Sequence, residues 1–258
     1  MTETRRVLIV EDSGYLSGAV GRELSADFGY QVTVARDPIE MKQMLENERF
    51  DLALVDLLYR HLSDDFEHRR RSGQVSLTGR QFLVTGLTAL RALREQSPST
   101  SVAIWTSGEG SRALHIAFAH DFLNVRVLAS KDGPTGKVDT LHDIVQLALD
   151  GGTFIDETLA SYLPAPGSPT LHDTFLANET NRAIWRTCAL GISAQKEIAK
   201  KIGGSEKQIG KHIRVMYDKL LAFTGLPPRA RTALHEVTRY AEANWEFFLD
   251  AAVRAMYS

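Results

Sequence analysis

The chain has 258 residues, of which 43% are hydrophobic and 24% are charged, and its formal net charge is −2. This length and apolar content allow one large or two small domains, and we expect two. A single cysteine, Cys188, excludes an internal disulfide and any site built from several cysteines. No apolar run reaches the length of about 18 residues that a membrane helix needs, and the N-terminal run is too short for a signal peptide. We therefore expect a cytoplasmic protein without membrane contact.

The charge is distributed unevenly along the chain. Residues 178–234 contain eleven Lys or Arg and only four Asp or Glu, a net charge of about +7 that leaves about −9 for the remainder. We therefore expect only this C-terminal part to bind a polyanion such as nucleic acid.

Over the first 150 residues, short apolar runs alternate with segments whose apolar residues recur at helical spacing. The first predicted helix follows an acidic turn, and Asp37-Pro38 caps and opens the second. Five strands that alternate with five helices predict a doubly wound, five-stranded parallel sheet in an α/β domain. The predicted strands are Arg6–Val10, Gln31–Ala35, Phe50–Leu57, Ser101–Trp105 and Val125–Ala129, and the helices defined by their spacing include Gly14–Phe28, Ser111–His120 and Val138–Leu149.

Polar side chains follow four of these strands. Glu11 and Asp12 follow the first strand, Asp56 ends the third, Thr106 follows the fourth, and Lys131 follows the fifth. The carboxyl ends of parallel strands meet in one crevice, so we expect these groups to converge. Three carboxylates, a hydroxyl and an ammonium group suit a divalent cation and a phosphoryl group, and oxygen ligands favour Mg²⁺.

The stretches RRVLIVEDSGYL, FDLALVDLL, TGLTALRALREQSPSTSVAIWTS and LASKDG resemble the flavodoxin-like receiver domain of bacterial two-component response regulators, over roughly residues 1–160. The resemblance implies that Asp56 accepts a phosphoryl group from a histidine kinase. It also implies that Thr106 binds a phosphoryl oxygen and that Lys131 neutralises the acyl phosphate. The ligands that it implies for Mg²⁺ are Asp12 and Asp56, helped by Glu11 and the backbone carbonyl of Leu58.

The sequence departs from the receiver pattern directly after Asp56. The family has a proline and then Asp-Gly soon after this residue, whereas the matching Thr85-Gly86 lies about thirty residues on. An insertion of about residues 58–76 therefore lies beside the site. We expect either a mobile charged loop or a lid or partner surface whose arginines affect access to Asp56. Its charged residues are Arg60, His61, Asp64, Asp65, Glu67, His68, Arg69, Arg70 and Arg71.

Two further positions bear on the resemblance. Leu128 stands where the family usually has a switch aromatic, which puts the usual coupling between Thr106 and that aromatic in doubt. Asp132 follows Lys131 in place of a proline, which is the pattern of the NarL/FixJ subfamily.

Proline, glycine and serine are concentrated in SYLPAPGSPT, which predicts a linker over residues 161–172. An all-α domain over residues 173–258 follows. Ser193 and Ser205 are each placed to cap a helix, and Gly203-Gly204 makes a tight turn between the two. A helix, a tight turn and a second helix with a basic exposed face are typical of a helix-turn-helix, whose second helix enters the major groove of DNA.

The stretch ALGISAQKEIAKKIGGSEKQIGKHIRVMYDKL resembles the LuxR-type output domain of NarL/FixJ regulators. The resemblance implies that three residues approach base edges, because Gln suits adenine and Lys suits guanine. Four others are candidates for phosphate contacts. The base-reading candidates are Lys207, Gln208 and Lys211, and the phosphate candidates are Ser193, Lys196, His212 and Arg214. Gly210 replaces a lysine that is common in the family, which we expect to loosen the helix.

A C-terminal helix from about Arg229 to Met256 extends the output domain, with Trp245, Phe247, Phe248 and Leu249 as core or as a dimer seam. The two resemblances together imply a non-enzymatic response regulator that binds promoter DNA as a homodimer under the control of a cognate histidine kinase.

Two alternatives to this prediction stay open. The first is an atypical receiver whose DNA binding is controlled by a ligand or a partner protein without phosphorylation. The second is a phosphatase-class hydrolase with an Asp-and-Mg²⁺ site on a similar sheet. Such hydrolases need a second acid two residues after the nucleophile, where this chain has Leu58, and this argues against the second alternative.

Overall fold

The structure is a computed structural model that describes residues 4–76, 82–165, 167–228 and 230–257. The chain forms two compact units that interleave along the sequence. The first contains Met1–Ser63 and Val84–Leu163, and the second contains Asp64–Leu83 and Pro164–Ser258. The linear boundaries at residues 160 and 173 stay predictions, and Pro166 of the predicted linker lies outside the described residues. Among the described residues, no helix is long and apolar enough to cross a membrane.

The first unit is built on a parallel sheet in the order β2-β1-β3-β4-β5-β6. This confirms the predicted doubly wound α/β fold. A sixth strand, only two residues long and therefore too short to show a period, extends the five predicted strands. The strands are β1 (Arg6–Val10), β2 (Gln31–Ala35), β3 (Leu52–Val55), β4 (Ser101–Thr106), β5 (Val127–Ser130) and β6 (Phe154–Ile155).

Helices flank this sheet, and side-chain caps fix where several of them begin. The Ser13 hydroxyl and the Asp37 carboxylate accept backbone N–H bonds at the starts of the first two helices, and Thr85 does the same after the insertion. β1 and β3 are buried along almost their whole length, as expected for central parallel strands. The helices are α1 (Gly14–Phe28), α2 (Pro38–Asn47), α3 (Arg60–Arg71), α4 (Gly86–Gln96), α5 (Ala113–Asp121), α6 (Val138–Leu149) and α7 (Glu157–Ala160).

Helix α3 lies in the insertion, so the prediction of a mobile charged loop is wrong. The charges that suggested a solvated loop are spaced to support a helix: Asp65 pairs with Arg69 at 3.0 Å, and Glu67 pairs with Arg71 at 2.6 Å. Phe66 gives the helix its one fully buried side chain, 1% exposed. The residues of α3 from Asp64 onward belong to the second unit.

Apart from the bridge between Leu83 and Asp250, the described residues of the second unit form helices and the turns between them, as predicted. From His172 onward it contains a π-helical turn at His172–Leu176 followed by α8 (Glu179–Ala189), α9 (Gln195–Ile202), α10 (Glu206–Thr224), α11 (Ala233–Ala243), α12 (Trp245–Phe248) and α13 (Ala251–Ala255). An aromatic cluster of Phe175, Trp185, Tyr240 and Phe248 forms its centre, with ring centroids 4.9–6.5 Å apart.

The predicted single C-terminal helix is wrong, because three short helices cover the region. The chain turns at Asn244, and the Asp250 carboxylate accepts the backbone N–H groups of Ala252 and Val253 to start α13. Phe247, Phe248 and Leu249 are at most 3% exposed, so they are core. Arg229, the predicted start of the helix, lies outside the described residues.

Phe66, Arg70 and Leu83, all from the segment Asp64–Leu83, contact other parts of the second unit. Phe66 stacks on Trp245 with a centroid distance of 5.6 Å and an angle of 6° between the rings. Arg70 donates to the carbonyl of Ala189 at 2.8 Å, at the end of α8, and its guanidinium lies over Trp245. Leu83 makes backbone bonds on both sides of Asp250, accepting from Ala251 and donating to Leu249. This segment therefore contributes to the packing of the second unit.

Candidate functional site

Three carboxylates meet at the carboxyl edge of the central strands. Glu11 and Asp12 follow β1, Asp56 follows β3, and one carboxylate oxygen of each lies within 4.8 Å of the others. Glu11 is 2% exposed and Asp56 is 5% exposed, whereas Asp12 is partly open to solvent. Strands β1 and β3 are neighbours in the sheet, so two adjacent strands that are not consecutive in the chain bring the three acids to one place. Oxygen donors in this arrangement fit a divalent cation.

The Asp56 carboxylate is held from both sides. Its Oδ1 accepts from the backbone N–H of Leu57 and from the Thr106 hydroxyl, each at 2.6 Å. Its Oδ2 pairs with the ammonium group of Lys131, which pairs with Glu11 as well. Of the five predicted groups, Thr106, Lys131 and the three acids all converge.

Burial and charge oppose each other in this cluster. Burial raises the pKa of Glu11, the Lys131 ammonium acts to lower it, and the Asp56 charge raises it further. The Tyr59 hydroxyl donates to the carbonyl of Asp56 at 2.9 Å, and burial, with added repulsion from the nearby acids, raises the pKa of this phenol well above its usual range. Tyr59 therefore stays a neutral donor beneath the site.

The first turn of α3 touches the acid that is most open to solvent. The backbone N–H of Arg60 donates to Asp12 Oδ2 at 2.6 Å. The His61 ring lies between two acids, with Nδ1 3.6 Å from Asp12 and Nε2 3.2 Å from Asp37. The sequence analysis placed Arg60 and His61 in the insertion but missed Asp37 as a neighbour of the site. The available signal was that β2 lies beside β1 in such a sheet.

Close backbone approach explains one residue near the site. A Cβ on Gly86 would lie 2.1 Å from the carbonyl oxygen of Asp56, so only glycine fits where α4 begins. The Gly86 N–H donates to the Leu57 carbonyl at 2.8 Å. Leu58, whose carbonyl the resemblance assigns to Mg²⁺, is buried two residues after Asp56, and Leu128 is fully buried in β5.

The loop that follows β4 is tied down at Gly108, which the sequence analysis missed. Its N–H donates to the Asp132 carboxylate at 2.6 Å, and its carbonyl accepts from the Tyr162 hydroxyl at 2.5 Å. A Cβ at Gly108 would lie 2.7 Å from Thr158 Cγ2 on α7. These partners lie between 24 and 54 positions away in the chain, and no local pattern marks them.

In the second unit, α9 and α10 form the predicted helix-turn-helix. Gly203 ends α9 in the left-handed region at φ 77°, and Ser205 and Gln208 form a capping box at the start of α10. The predicted cap at Ser193 is wrong, because Ala194 is the N-cap residue of α9 and makes no side-chain bond. The residues predicted to contact DNA that are exposed are Ser193, Lys196, Lys207, Gln208, Lys211 and Arg214.

Two residues of α10 differ from the rest of this face. His212 is half-buried, with its Nδ1 2.8 Å from Oδ1 of Asn181, so it links α10 to α8. Gly210 leaves space for Gln195 of α9, whose amide nitrogen would lie 2.9 Å from a Cβ there and donates to the Glu206 carbonyl at 2.6 Å. The glycine thus allows α9 and α10 to approach closely.

The chain matches no protein-family model and no curated protein. Among solved structures, a structure of two RcsB dimers bound to two parallel DNAs has 18% sequence identity to this chain and a TM-score of 0.51. The alignment covers 92% of this chain and 98% of that one. A structure of the two-component response regulator RcsB in complex with DNA has 16% identity, a TM-score of 0.51 and the same coverage. This chain shares their fold.

The likeness extends over almost the full length of both chains, so it covers the parallel sheet and the helical unit together. It confirms the fold class that the resemblance implied, a parallel α/β unit combined with a helix-turn-helix unit. At this level of identity the likeness concerns the fold, and the roles of individual residues depend on the geometry described above.

Proposed function

We propose that the chain is a DNA-binding response regulator of the NarL/FixJ type. In this proposal Asp56 accepts a phosphoryl group from a histidine kinase, and its state controls binding to promoter DNA as a homodimer. The observation that carries the proposal is the convergence of Asp56, Lys131 and Thr106 with two further carboxylates at the edge of the sheet. Asp56 is buried, and its carboxylate is held by one cation, one hydroxyl and one backbone N–H group.

The chemistry follows from the partners of Asp56. A carboxylate oxygen attacks the phosphorus of a phosphohistidine in line, the new O–P bond forms as the N–P bond breaks, and the imidazole leaves with the electron pair. Lys131 and Thr106, now bonded to the two carboxylate oxygens, are placed to transfer their bonds to phosphoryl oxygens. Mg²⁺ held by Asp12, Asp56 and the Leu58 carbonyl, with help from Glu11, would supply further neutralisation of charge.

The exposed basic face of α10 supports the DNA-binding half of the proposal. Lys207, Gln208 and Lys211 lie on a helix that a capping box and a tight glycine turn fix against α9. Ser193, Lys196 and Arg214 are free to contact phosphates. The Nδ1 atom of His212 is paired with Asn181, so only the rest of its half-buried ring is available to contact a phosphate.

The experiment combines phosphorylation with DNA binding. The full chain is incubated with acetyl phosphate and Mg²⁺, its intact mass is measured, and its binding to a random-sequence DNA library is followed by gel shift. We expect the mass of one phosphoryl group on the wild type and none on Asp56→Asn. We also expect the phosphorylated chain to bind the DNA that it selects from the library with higher affinity than the unphosphorylated chain does. A wild-type chain that gains no mass contradicts the proposal.

A second candidate function has its own observation. Asp12 already accepts the Arg60 N–H and lies beside His61, so the first turn of α3 competes with a cation for this acid. That contact favours an atypical receiver, in which a ligand or a partner protein controls DNA binding without phosphorylation. Specific DNA binding that is unchanged by acetyl phosphate and by Asp56→Asn would support this alternative.

A further inference from the structure

The loop after Thr106 is bonded directly to the last residues of the first unit. Tyr162 lies two positions before Pro164, at which the second unit resumes. Its hydroxyl donates to the Gly108 carbonyl at 2.5 Å. Gly108 in turn lies two residues after Thr106, which donates to Asp56. A chain of bonds therefore runs from the Asp56 carboxylate to the point where the chain leaves the unit.

Tyr162 lies just after α7, and the start of α7 is held firmly within the first unit. Asp156 caps α7 by accepting from Thr158 N–H at 2.9 Å, and the Thr135 hydroxyl donates to the same carboxylate at 2.8 Å. Leu159 is fully buried. After Leu159, the Tyr162 hydroxyl forms a hydrogen bond that joins the end of the first unit to the Gly108 loop.

The packing leaves little room for the loop to move independently. The Gly108 N–H is bonded to Asp132 at 2.6 Å, and even a Cβ at this position would contact Thr158 at 2.7 Å. A shift of Thr106 therefore moves Gly108 against α7 or breaks its bond to Tyr162. Leu128, in β5, has no polar group with which to report such a shift.

We propose that Tyr162 is a positioning residue that holds the Thr106–Gly108 loop and relays the state of the Asp56 site to the end of the first unit. The relay depends on the proposed function for its biological use, because phosphorylation is what would draw Thr106 away from the Asp56 carboxylate. The bonds that form the relay do not depend on it. They can be tested in the chain without any phosphodonor.

The test is a double-mutant cycle in the full chain, read by hydrogen exchange. Thr106→Val removes the hydroxyl that bonds Asp56, and Tyr162→Phe removes the hydroxyl that bonds Gly108. We expect Thr106→Val to speed exchange of the amides at 158–163 by about two- to tenfold, the range for one net hydrogen bond. In the Tyr162→Phe background, Thr106→Val should add nothing at these amides.

Two matched controls accompany the cycle. Thr106→Ser keeps the hydroxyl and should leave exchange at 158–163 at the wild-type rate. Tyr30→Phe removes a phenol of the same unit that bonds His142 and Gln146, away from the site, and should leave exchange at 106–110 and at 158–163 unchanged. Thr106→Val without effect on 158–163, or with the same effect in both backgrounds, overturns the relay.

The outcome is separable from that of the proposed function. Intact mass after treatment with acetyl phosphate and Mg²⁺ reports phosphorylation, whereas the cycle reports coupling. A coupled cycle in a chain that takes up no phosphoryl group supports the relay and contradicts phosphorylation. Additive effects in a chain that is phosphorylated overturn the relay alone.

Discussion

The two candidate sites differ in what holds their residues in place. At the edge of the sheet, Asp56, Thr106 and Lys131 are bonded to one another and largely buried. On α10, Lys207 and Lys211 are exposed, and their position depends on the helix alone. A site made of mutual bonds is organised before any ligand arrives, so changing one member disturbs the others. A site on an exposed face acts only when its partner binds, so its members are separable.

Removing Lys131 is the strongest way to test this difference. Lys131→Ala leaves two buried carboxylates without their cation, and we expect a loss of about 3–5 kcal/mol in the free energy of unfolding. Added Mg²⁺ should restore part of this loss. Lys207→Ala, on the exposed face, should change stability by no more than about 0.5 kcal/mol. Urea unfolding of both variants checks this, and equal losses would remove the contrast between the sites.

On the exposed face, the expected losses for the lysine variants are in binding and not in stability, whereas Gln208→Ala also removes one half of the capping box of α10. Lys211→Ala or Gln208→Ala should weaken specific DNA binding by about 1–3 kcal/mol for each lost base contact. Lys196→Ala should weaken specific and random DNA alike and reduce the salt dependence of binding. Titrations on a selected and a random sequence at two salt concentrations measure both. The same loss on both sequences for all three variants contradicts the assignment of base-reading residues.

The buried His115 makes the stability of the first unit depend on pH. Burial, with added repulsion from Arg112, lowers the pKa of His115 from 6.5 to about 3. Below pH 6.5, His115 binds a proton in the unfolded chain but stays neutral in the folded chain. Stability is therefore full above this pH and falls by about 1.4 kcal/mol per pH unit towards pH 3.

Hydrogen exchange of the strand amides at pH 7.5 and 5.5 measures this loss after correction for the intrinsic exchange rate. His115→Gln should abolish that part of the pH dependence, and His235→Gln, a matched change in the second unit, should not. A pH dependence that survives in His115→Gln would show that other groups cause it.

The smallest expected effect concerns Gly210. Gly210→Ala gains about 1 kcal/mol of helix propensity but displaces the Gln195 amide, whose bond is worth about as much. The net change in unfolding free energy should therefore be about 0.5 kcal/mol or less. In a Gln195→Ala background the same substitution should stabilise by about 1 kcal/mol. A large loss in both backgrounds would mean that the backbone of α9, and not Gln195, requires the glycine.

The parts of the fold that follow local patterns could be predicted from the sequence. The apolar run before Asp56 defines β3, and parallel topology then brings Glu11 and Lys131 to the same edge. The expectation that Gly210 loosens α10 considered propensity alone and overlooked the space that Gln195 needs. Helix α3 was missed for a related reason: its charges were interpreted singly, and the partner of its buried Phe66 is Trp245, far along the chain. Contacts such as Tyr162 to Gly108 leave no periodic signal.

The interleaving of the two units has a consequence for how the protein can be divided. Leu83 and Asp250 form a backbone bridge across 167 positions of sequence, and contacts between such distant positions slow folding. A cut at any single peptide bond between residues 84 and 164 would separate α8 to α13 from Phe66 and Leu83, which contact Trp245 and Leu249. The helical unit therefore cannot be separated by one cut in the chain, and a chimera that keeps this unit intact would have to carry Asp64–Leu83 as well.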